Sequence, residues 1–425
     1  MGKSPNISSF KENLPQRVND ILSIAHSLEI RTIIVGGATR DFFMGKSDWY
    51  RDIDVEIRPK AVISDQQWEK ILSKLEQKIS IRFGAEFEKL EFEIIRVKHS
   101  QNEVELSPAR VEKFREGEFG HKNFDAEIRA ELSDQMAFKR RDFTFNAIGI
   151  EIKEDGSTLL IDPFGGLGDL QKRTIRPCSD DFSKDPVRFL RMIRFAIKEN
   201  LNYPDECDQL LKRFNLKNLS TYYLLEEATK SKDLVNFFYI FYKLTYDFEI
   251  PLPAQIMEVS FLRNIPRATN EKKIDTIDSF GFHMASSLSH ISSTHLQVVA
   301  KVIGVKVKVL LNLRSYFQHL ADLDIDQSKL LLEKIRQKKI EFDEILKEDT
   351  FHQLHQLKGV SKSISSYLEK YSSLIPDALL QTHKFWMETM ASAKDVEVSL
   401  EEATLEASDQ VNRKYLKFYC QLRGE

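Results

Sequence analysis

The tightest constraint on this chain is a short segment with two unlike faces. In "RDIDVEI", Arg51–Ile57, Ile53, Val55 and Ile57 alternate with Asp52, Asp54 and Glu56. Strand side chains point to opposite faces in turn, so the segment predicts a strand with an apolar face for a core and an acidic face outside it. Close carboxylates repel unless a cation lies between them. Asp52 and Asp54 are therefore candidate ligands for a divalent metal, best matched by Mg²⁺ with its preference for carboxylate and phosphate oxygen. The competing explanation is a solvated edge-strand face, and Glu56 is taken as a bystander.

What precedes the strand shifts the balance. "IIVGGATRDFF", Ile33–Phe43, runs an apolar strand, Thr32–Val35, into Gly36 and Gly37 and then into a helix. Glycines between strand and helix let backbone amides approach a phosphate chain, although ordinary tight turns use them too. Further on, "NEVELSPAR" offers Glu105 as a third carboxylate for a two-metal phosphoryl-transfer site, with Glu103 on the same face as its competitor.

Helical spacing in "NLPQRVNDILSIAHSLEI" and "WEKILSKLEQKI", strand alternation in "KLEFEIIRV" and "NEVEL", and "RRDFTFNAIGIEI" as a helix start or strand give an α+β domain over residues 1–150. The Gly- and Pro-rich "EDGSTLLIDPFGGLGDLQKRTIRP" forms the hinge, and from Lys184 onward helical patterns dominate. At 425 residues with 42% hydrophobic content, several cores are expected. No apolar run is long enough to span a membrane and the N-terminus has no signal-like apolar stretch, so a cytoplasmic protein is expected. Cys178, Cys207 and Cys420, scattered and odd in number, fit neither a disulfide framework nor a Cys-rich zinc site. A net charge of −3 confines any nucleic-acid contact to local basic surface. Residues 279–321 lack Asp and Glu and carry Lys301, Lys306, Lys308, Arg314 and His283, His290, His295 and His319. They are the candidate RNA-gripping surface, against the alternative of a largely buried helical hairpin. His352 and His355 could share a helix face, a pairing more often found on surfaces than around metals.

Five ordered segments, "GGATRD…DID", "EVELSPAR", "KRRDFTFNAIGIE", "IDPFGGLGDLQKRTIRP" and "DPVRFLRMIRFA", resemble those of the class II CCA-adding enzymes and bacterial poly(A) polymerases over about residues 30 to 230. The resemblance implies an α+β N-terminal nucleotidyltransferase palm followed by an all-α neck, body and tail. Its domains would be a head over 1–150, a neck with a base-template helix over 151–245, and an RNA-binding body and tail over 246–425. It implies metal ligation by Asp52 and Asp54 with Glu105 as third carboxylate, and triphosphate binding at Gly36, Gly37, Arg40 and Asp41. Arg140, Arg141, Asp142 and Asn146 would take the sugar and phosphates. Asp185 and Arg188, on a helix that also carries Arg191 and Arg194 toward the nucleotide, would read the base edge. By sequence alone, Asp185 before Pro186 is equally a helix N-cap.

A carboxylate acceptor beside a guanidinium donor complements cytosine or adenine and mismatches guanine and uracil. The implied substrates are CTP and ATP, with Mg²⁺, and the partner a tRNA or other RNA 3′ end. Lys184 stands where the family usually has Glu, which bears on the geometry of base selection. CCA addition or repair of tRNA is the expected activity. Poly(A) addition, CC-only or A-only addition, and a silent RNA-binding protein on this scaffold are the alternatives.

Overall fold

The computed structural model describes residues 7–99, 102–115, 120–121, 123–266, 274–288, 291–392 and 410–423. Two compact units divide the chain: Met1–Leu224 with Leu244–Pro253, and Leu225–Lys243 with Ala254–Glu425.

The first unit is built on strands β1 (Ile30–Val35), β2 (Asp52–Pro59), β3 (Phe87–Lys89), β4 (Ile95–Lys98), β5 (Glu103–Pro108), β8 (Gly149–Ile152) and β9 (Thr158–Ile161), in the sheet order β3-β4-β5-β2-β1-β8-β9. The hairpin of β6 (Arg110–Phe114) and β7 (Phe124–Ile128) stands apart from it. Within the sheet β2 and β5 run parallel, and the other neighbours pair antiparallel.

The alternation in β2 does what the pattern predicts. Ile53, Val55 and Ile57 are buried in one core with Val104 and Leu106 of β5 and with Val18, Ile21, Leu22, Trp68, Leu72, Leu75 and Ile79 from the helices Gln16–His26 and Asp65–Phe83. Burying each such side chain contributes about 1.5–3 kcal/mol. Ser64 and Gln67 form a capping box that starts the second of these helices. The opposite face of β2 goes from exposed Asp52 and Asp54 to Glu56 and Arg58, which are 1% and 2% exposed.

Where the structure departs from expectation, turns are the reason. "KLEFEIIRV" is two strands, β3 and β4, separated at Phe92 and Glu93 by backbone with φ of 59° and 56°. "RRDFTFNAIGIEI" passes through a 3₁₀ turn, Thr144–Asn146, into β8.

Among the described residues every element after β9 is helical. Lys232, at φ 65°, separates the helices Thr221–Ser231 and Leu234–Asp247. In the second unit, helix Val307–Asp322 packs against Ile277–Ser287, Ser293–Ile303, Asp349–Ser363 and Asp377–Ser392.

The "IDPFGGLGDLQKRTIRP" segment is a compact clasp. Asp162 accepts from the amides of Gly166 and Leu167 at 2.7 and 3.0 Å. Buried Asp169 takes the Thr144 hydroxyl at 2.5 Å and the Arg176 guanidinium at 2.5 and 3.0 Å. A Cβ at Gly166 would lie 2.0 Å from the Thr144 carbonyl oxygen, an overlap that backbone must move to relieve. Gly166→Ala is therefore expected to lower unfolding free energy by more than about 2 kcal/mol in a urea titration, whereas Gly168→Ala, where nothing lies within 4 Å, is expected to be near neutral.

Candidate active site

Strand register assembles the site. Val35, the last residue of β1, is opposite Asp54, and Asp54 is opposite Glu105 of β5, while Asp52 is opposite Glu103. Gly36 directly follows Val35, so the glycine turn is carried to the acidic face. At φ 76° and ψ −128° Gly36 has backbone that L side chains rarely adopt. A Cβ there would meet Asp54 Oδ2 at 3.1 Å and Arg141 Nη1 at 3.5 Å. Turn, acid and arginine thus close on one point.

Asp54 is open to solvent on one side but crowded by protein on the others. Loss of hydration is the main cause that pushes its pKa up to about 6; Glu105 and Asp52 add repulsion, and Arg141 and Arg140 oppose it. A bound cation relieves that strain, so Asp52 and Asp54 suit a metal by donor chemistry. The third carboxylate is not free to join them. Arg96 of β4 contacts Glu105 at 2.6 Å and Glu103 at 2.9 Å, and among the described residues no three His, Cys, Asp or Glu side chains converge as a metal cluster.

The arginine wall comes from the loop before β8. Arg141 is 14% exposed in its side chain; burial lowers its pKa, as does neighbouring Arg140, while Glu56, Asp54 and Asp142 oppose the shift. Asp142 is buried and accepts from the Phe143 amide, from Asn146 Nδ2 at 3.0 Å and from Arg191 Nε at 2.6 Å. Burial works against its charge, yet Arg191, Asn146 and Arg188 hold its pKa down to about 2. Asn146 Oδ1 in turn accepts from Arg40 Nη1 at 2.9 Å. A line of contacts therefore runs Arg40–Asn146–Asp142–Arg191. The ring of Phe195 gathers Arg40, Arg191 and Arg194 at 5.1, 5.7 and 4.2 Å. Arg40 Nε donates to Asp41 at 2.7 Å, and Lys46 bridges Asp41 and Glu199.

Asp185 is the N-cap of helix Pro186–Lys198, as its sequence context also allows: Oδ1 accepts from the Val187 amide at 2.9 Å. Its Oδ2 is 3.0 Å from His121 Nδ1 and 3.8 Å from Arg188 Nε. Arg188, 7% exposed, donates to the Arg140 carbonyl at 2.6 Å, tying this helix to the wall. Lys184 is ion-paired with Asp181 at 2.8 Å, and its Nζ lies 5.8 Å from the Phe114 ring that Arg188 also approaches at 5.7 Å.

In the second unit Lys301, Lys306 and Lys308 are exposed, whereas Arg314 donates to the Ile291 carbonyl and Ser293 Oγ at 2.9 and 3.0 Å. His290 lies outside the described residues. His352 and His355 do share a side of their helix, packed against Tyr415 at ring distances of 5.2 and 4.0 Å. The cysteines are free thiols.

Arg96, His121, Lys46 and the burial of Glu56 went unread in the sequence. Arg96 had a signal: in "IIRVK" it alternates with the buried Ile95 and Val97, and pairing that strand with "EVEL" puts it beside Glu105. His121, on a hairpin, meets a residue far along the chain and had none.

The acidic strand face, glycine turn and arginine wall lie on a mixed-sheet head that is followed by helices. Residues 32–176 match the Poly A polymerase head domain. The A-adding tRNA nucleotidyltransferase of Aquifex aeolicus is 33% identical over 211 residues, 49% of this chain and 22% of that relative. The Multifunctional CCA protein of Ralstonia nicotianae is 38% identical over 102 residues, 24% of this chain and 23% of that protein. The chain thus spans about a quarter or less of these relatives' length. Over nearly full lengths the fold is that of solved CCA-adding enzymes. An apo form gives a TM-score of 0.60 at 18% identity, covering 100% of this chain and 96% of the other. The Thermotoga maritima enzyme complexed with tRNA gives 0.59 at 18%, with the same coverage. Residues 32–176 are thus similar to the head domain of the poly(A) polymerases, and the fold of the chain is similar to that of the solved CCA-adding enzymes.

A pKa of about 6 in the fold means that ionised Asp54 opposes folding. The penalty sets in as pH rises from the unfolded carboxylate value and is complete above pH 6. With metal chelated, Asp54→Asn is expected to raise unfolding free energy at pH 8 by about 1 kcal/mol, a figure discounted for solvent screening. The gain should vanish by about pH 4, as urea titrations at the two pH values will check.

Proposed function

We propose that the chain is a template-independent RNA nucleotidyltransferase of the cytoplasm, adding C, A or both to the 3′ end of tRNA in CCA addition or repair, from CTP and ATP. The observation that carries this reading is the convergence of Gly36, Asp54 and Arg141 on one point of the sheet.

In the proposed reaction the RNA 3′-hydroxyl oxygen attacks the α-phosphorus, the bond to the β-phosphate oxygen breaks, and pyrophosphate leaves. The turn at Gly36–Gly37, where Gly36 is buried and Gly37 half-buried, would take the triphosphate at its amides, and Arg40, Arg140 and Arg141 offset its charge. Asp52 and Asp54 would hold Mg²⁺, which when bound supplies Lewis-acid stabilisation of the phosphoryl group. Glu105 would join only by leaving Arg96. Asp185 Oδ2 accepts from the exocyclic amine of cytosine or adenine, and Arg188 donates to the ring nitrogen; Asp142 and Arg191 hold that helix against the wall. Support for an RNA contact in the second unit comes from exposed Lys301, Lys306 and Lys308; Arg314, bonded internally, contributes less. No helix among the described residues is long and apolar enough to cross a membrane.

The test is a product ladder. The protein is incubated with Mg²⁺, single labelled nucleotides, and tRNAs ending before CCA, after C and after CC, beside an unstructured RNA. Addition of CC, then A, on tRNA alone is the expected result. Long A tracts on any RNA indicate poly(A) addition, one-nucleotide specificity a CC-only or A-only enzyme, and no product a binding protein.

Asp52→Ala and Asp54→Ala should each lower the rate of addition about a thousandfold or more without unfolding the chain. Near-normal turnover in either would remove the metal assignment. Glu105→Ala should cost less, and a larger loss in Glu103→Ala would transfer the third-carboxylate role to Glu103.

Because Asn caps helices about as well as Asp, Asp185→Asn should leave the melting temperature nearly unchanged while weakening discrimination by about 1.5–3 kcal/mol. Arg188→Ala should be worse. Competition assays should show relatively more UTP or GTP incorporated by both. Unchanged preference together with a lowered melting temperature would return both residues to a purely structural role.

A further inference from the structure

We propose that Glu56 is a positioning residue that holds the arginine wall in the orientation that receives a triphosphate; this rests on the nucleotidyltransferase reading above. Glu56 is 1% exposed and lies on the same face of β2 as Asp52 and Asp54. Its Oε1 accepts from Arg58 Nε and Nη2 at 3.0 and 2.5 Å, and Arg58 is itself fixed by Asp134 Oδ1 at 2.6 Å. Its Oε2 is buried without a hydrogen-bond partner among the described residues and faces Arg140 Nη2 at 3.7 Å and Arg141 Nη2 at 3.9 Å.

The two edges of Arg141 then have different duties. Nη2 faces Glu56 from behind the site, and Nη1 points forward, donating to the Asn146 carbonyl at 3.4 Å and bordering the glycine turn. Arg140 is placed likewise between Glu56 and Glu112, whose Oε1 is 3.7 Å from Arg140 Nη1 and is already bonded to Arg110 at 2.8 Å. Adjacent guanidiniums repel, and a carboxylate between and behind them removes the incentive to splay apart. Among the described residues the Nε groups of both arginines are buried without hydrogen-bond partners, so this wall is not satisfied by those residues.

The sign of one substitution separates positioning from charge. A triphosphate is strongly anionic, so if Glu56 contributes only its charge, Glu56→Gln removes a repulsion and binding tightens. If it holds the arginines, Glu56→Gln weakens binding despite that electrostatic gain.

The measurement is equilibrium binding of CTP, ATP and cytidine to the full chain with metal chelated, at fixed ionic strength, alongside thermal melts. Wild type should bind CTP and ATP, and Glu56→Gln should bind both about tenfold more weakly, the scale of a single charge-assisted hydrogen bond. Cytidine, lacking phosphates, should be affected far less. Equal or tighter triphosphate binding by folded Glu56→Gln overturns the inference and leaves the functional reading standing. Absence of CTP and ATP binding in wild type overturns both. Should Glu56→Gln not fold, Glu56→Met, of similar shape and without a buried charge, carries the same expectation. Failure of both to fold assigns Glu56 to the core and overturns the proposal.

Discussion

Backbone hydrogen bonding between β2 and its neighbours sets the position of the carboxylates at the centre of the site. Val35, Asp54 and Glu105 lie in one line across β1, β2 and β5, so the glycine after Val35, the crowded acid and the candidate third carboxylate are neighbours by register. A slip of one residue in β2 would turn Ile53 and Val55 outward and bury Asp54 and Asp52 among the helices. The apolar face therefore protects the site: burial of Ile53, Val55 and Ile57 makes any other register costly.

The same arginine-rich surroundings treat two acids in opposite ways. Asp142, bonded directly to Arg191 and Asn146, is held at a pKa of about 2, whereas Asp54, with Arg141 and Arg140 acting on it without a direct bond, rises to about 6. The charge of Arg191 in contact with Asp142, followed by the Asn146 hydrogen bond, outweighs burial there, whereas at Asp54 burial and the repulsion of Glu105 and Asp52 outweigh the arginines. Asp142 thereby strengthens the fold, and Asp54 stores a strain that a ligand can release.

Much of this architecture was legible in local pattern. The period-two alternation of Arg51–Ile57 identifies Ile53, Val55 and Ile57 as the β2 side chains that face the apolar core, and the predominance of helical patterns after Lys184 agrees with the helices found. What local pattern hides is where a face ends. Asp52, Asp54 and Glu56 are equivalent by alternation, yet Glu56 is covered because Arg58, Arg140 and Arg141 reach it from segments distant in the chain or two residues on. Likewise the carboxylate of Asp185 could be foreseen as an N-cap from Pro186, but not its approach to His121, which depends on how the β6–β7 hairpin lies. The two conformational breaks, at Phe92–Glu93 and at Lys232, involve residues with no glycine or proline to announce them.

The contact line from Arg40 through Asn146 and Asp142 to Arg191 joins three segments that are separate in sequence. On the proposed reading one end of that line attends the phosphates and the other sits on the helix that reads the base. The two ends are linked like the arms of one lever, with the Arg188 bond to the Arg140 carbonyl as a second strut. On that reading, accommodating a purine in place of a pyrimidine would not be a local event: a displacement that the larger ring imposed on the helix would be felt at the phosphates, and the size of the base and the alignment of the reacting phosphorus would be set together.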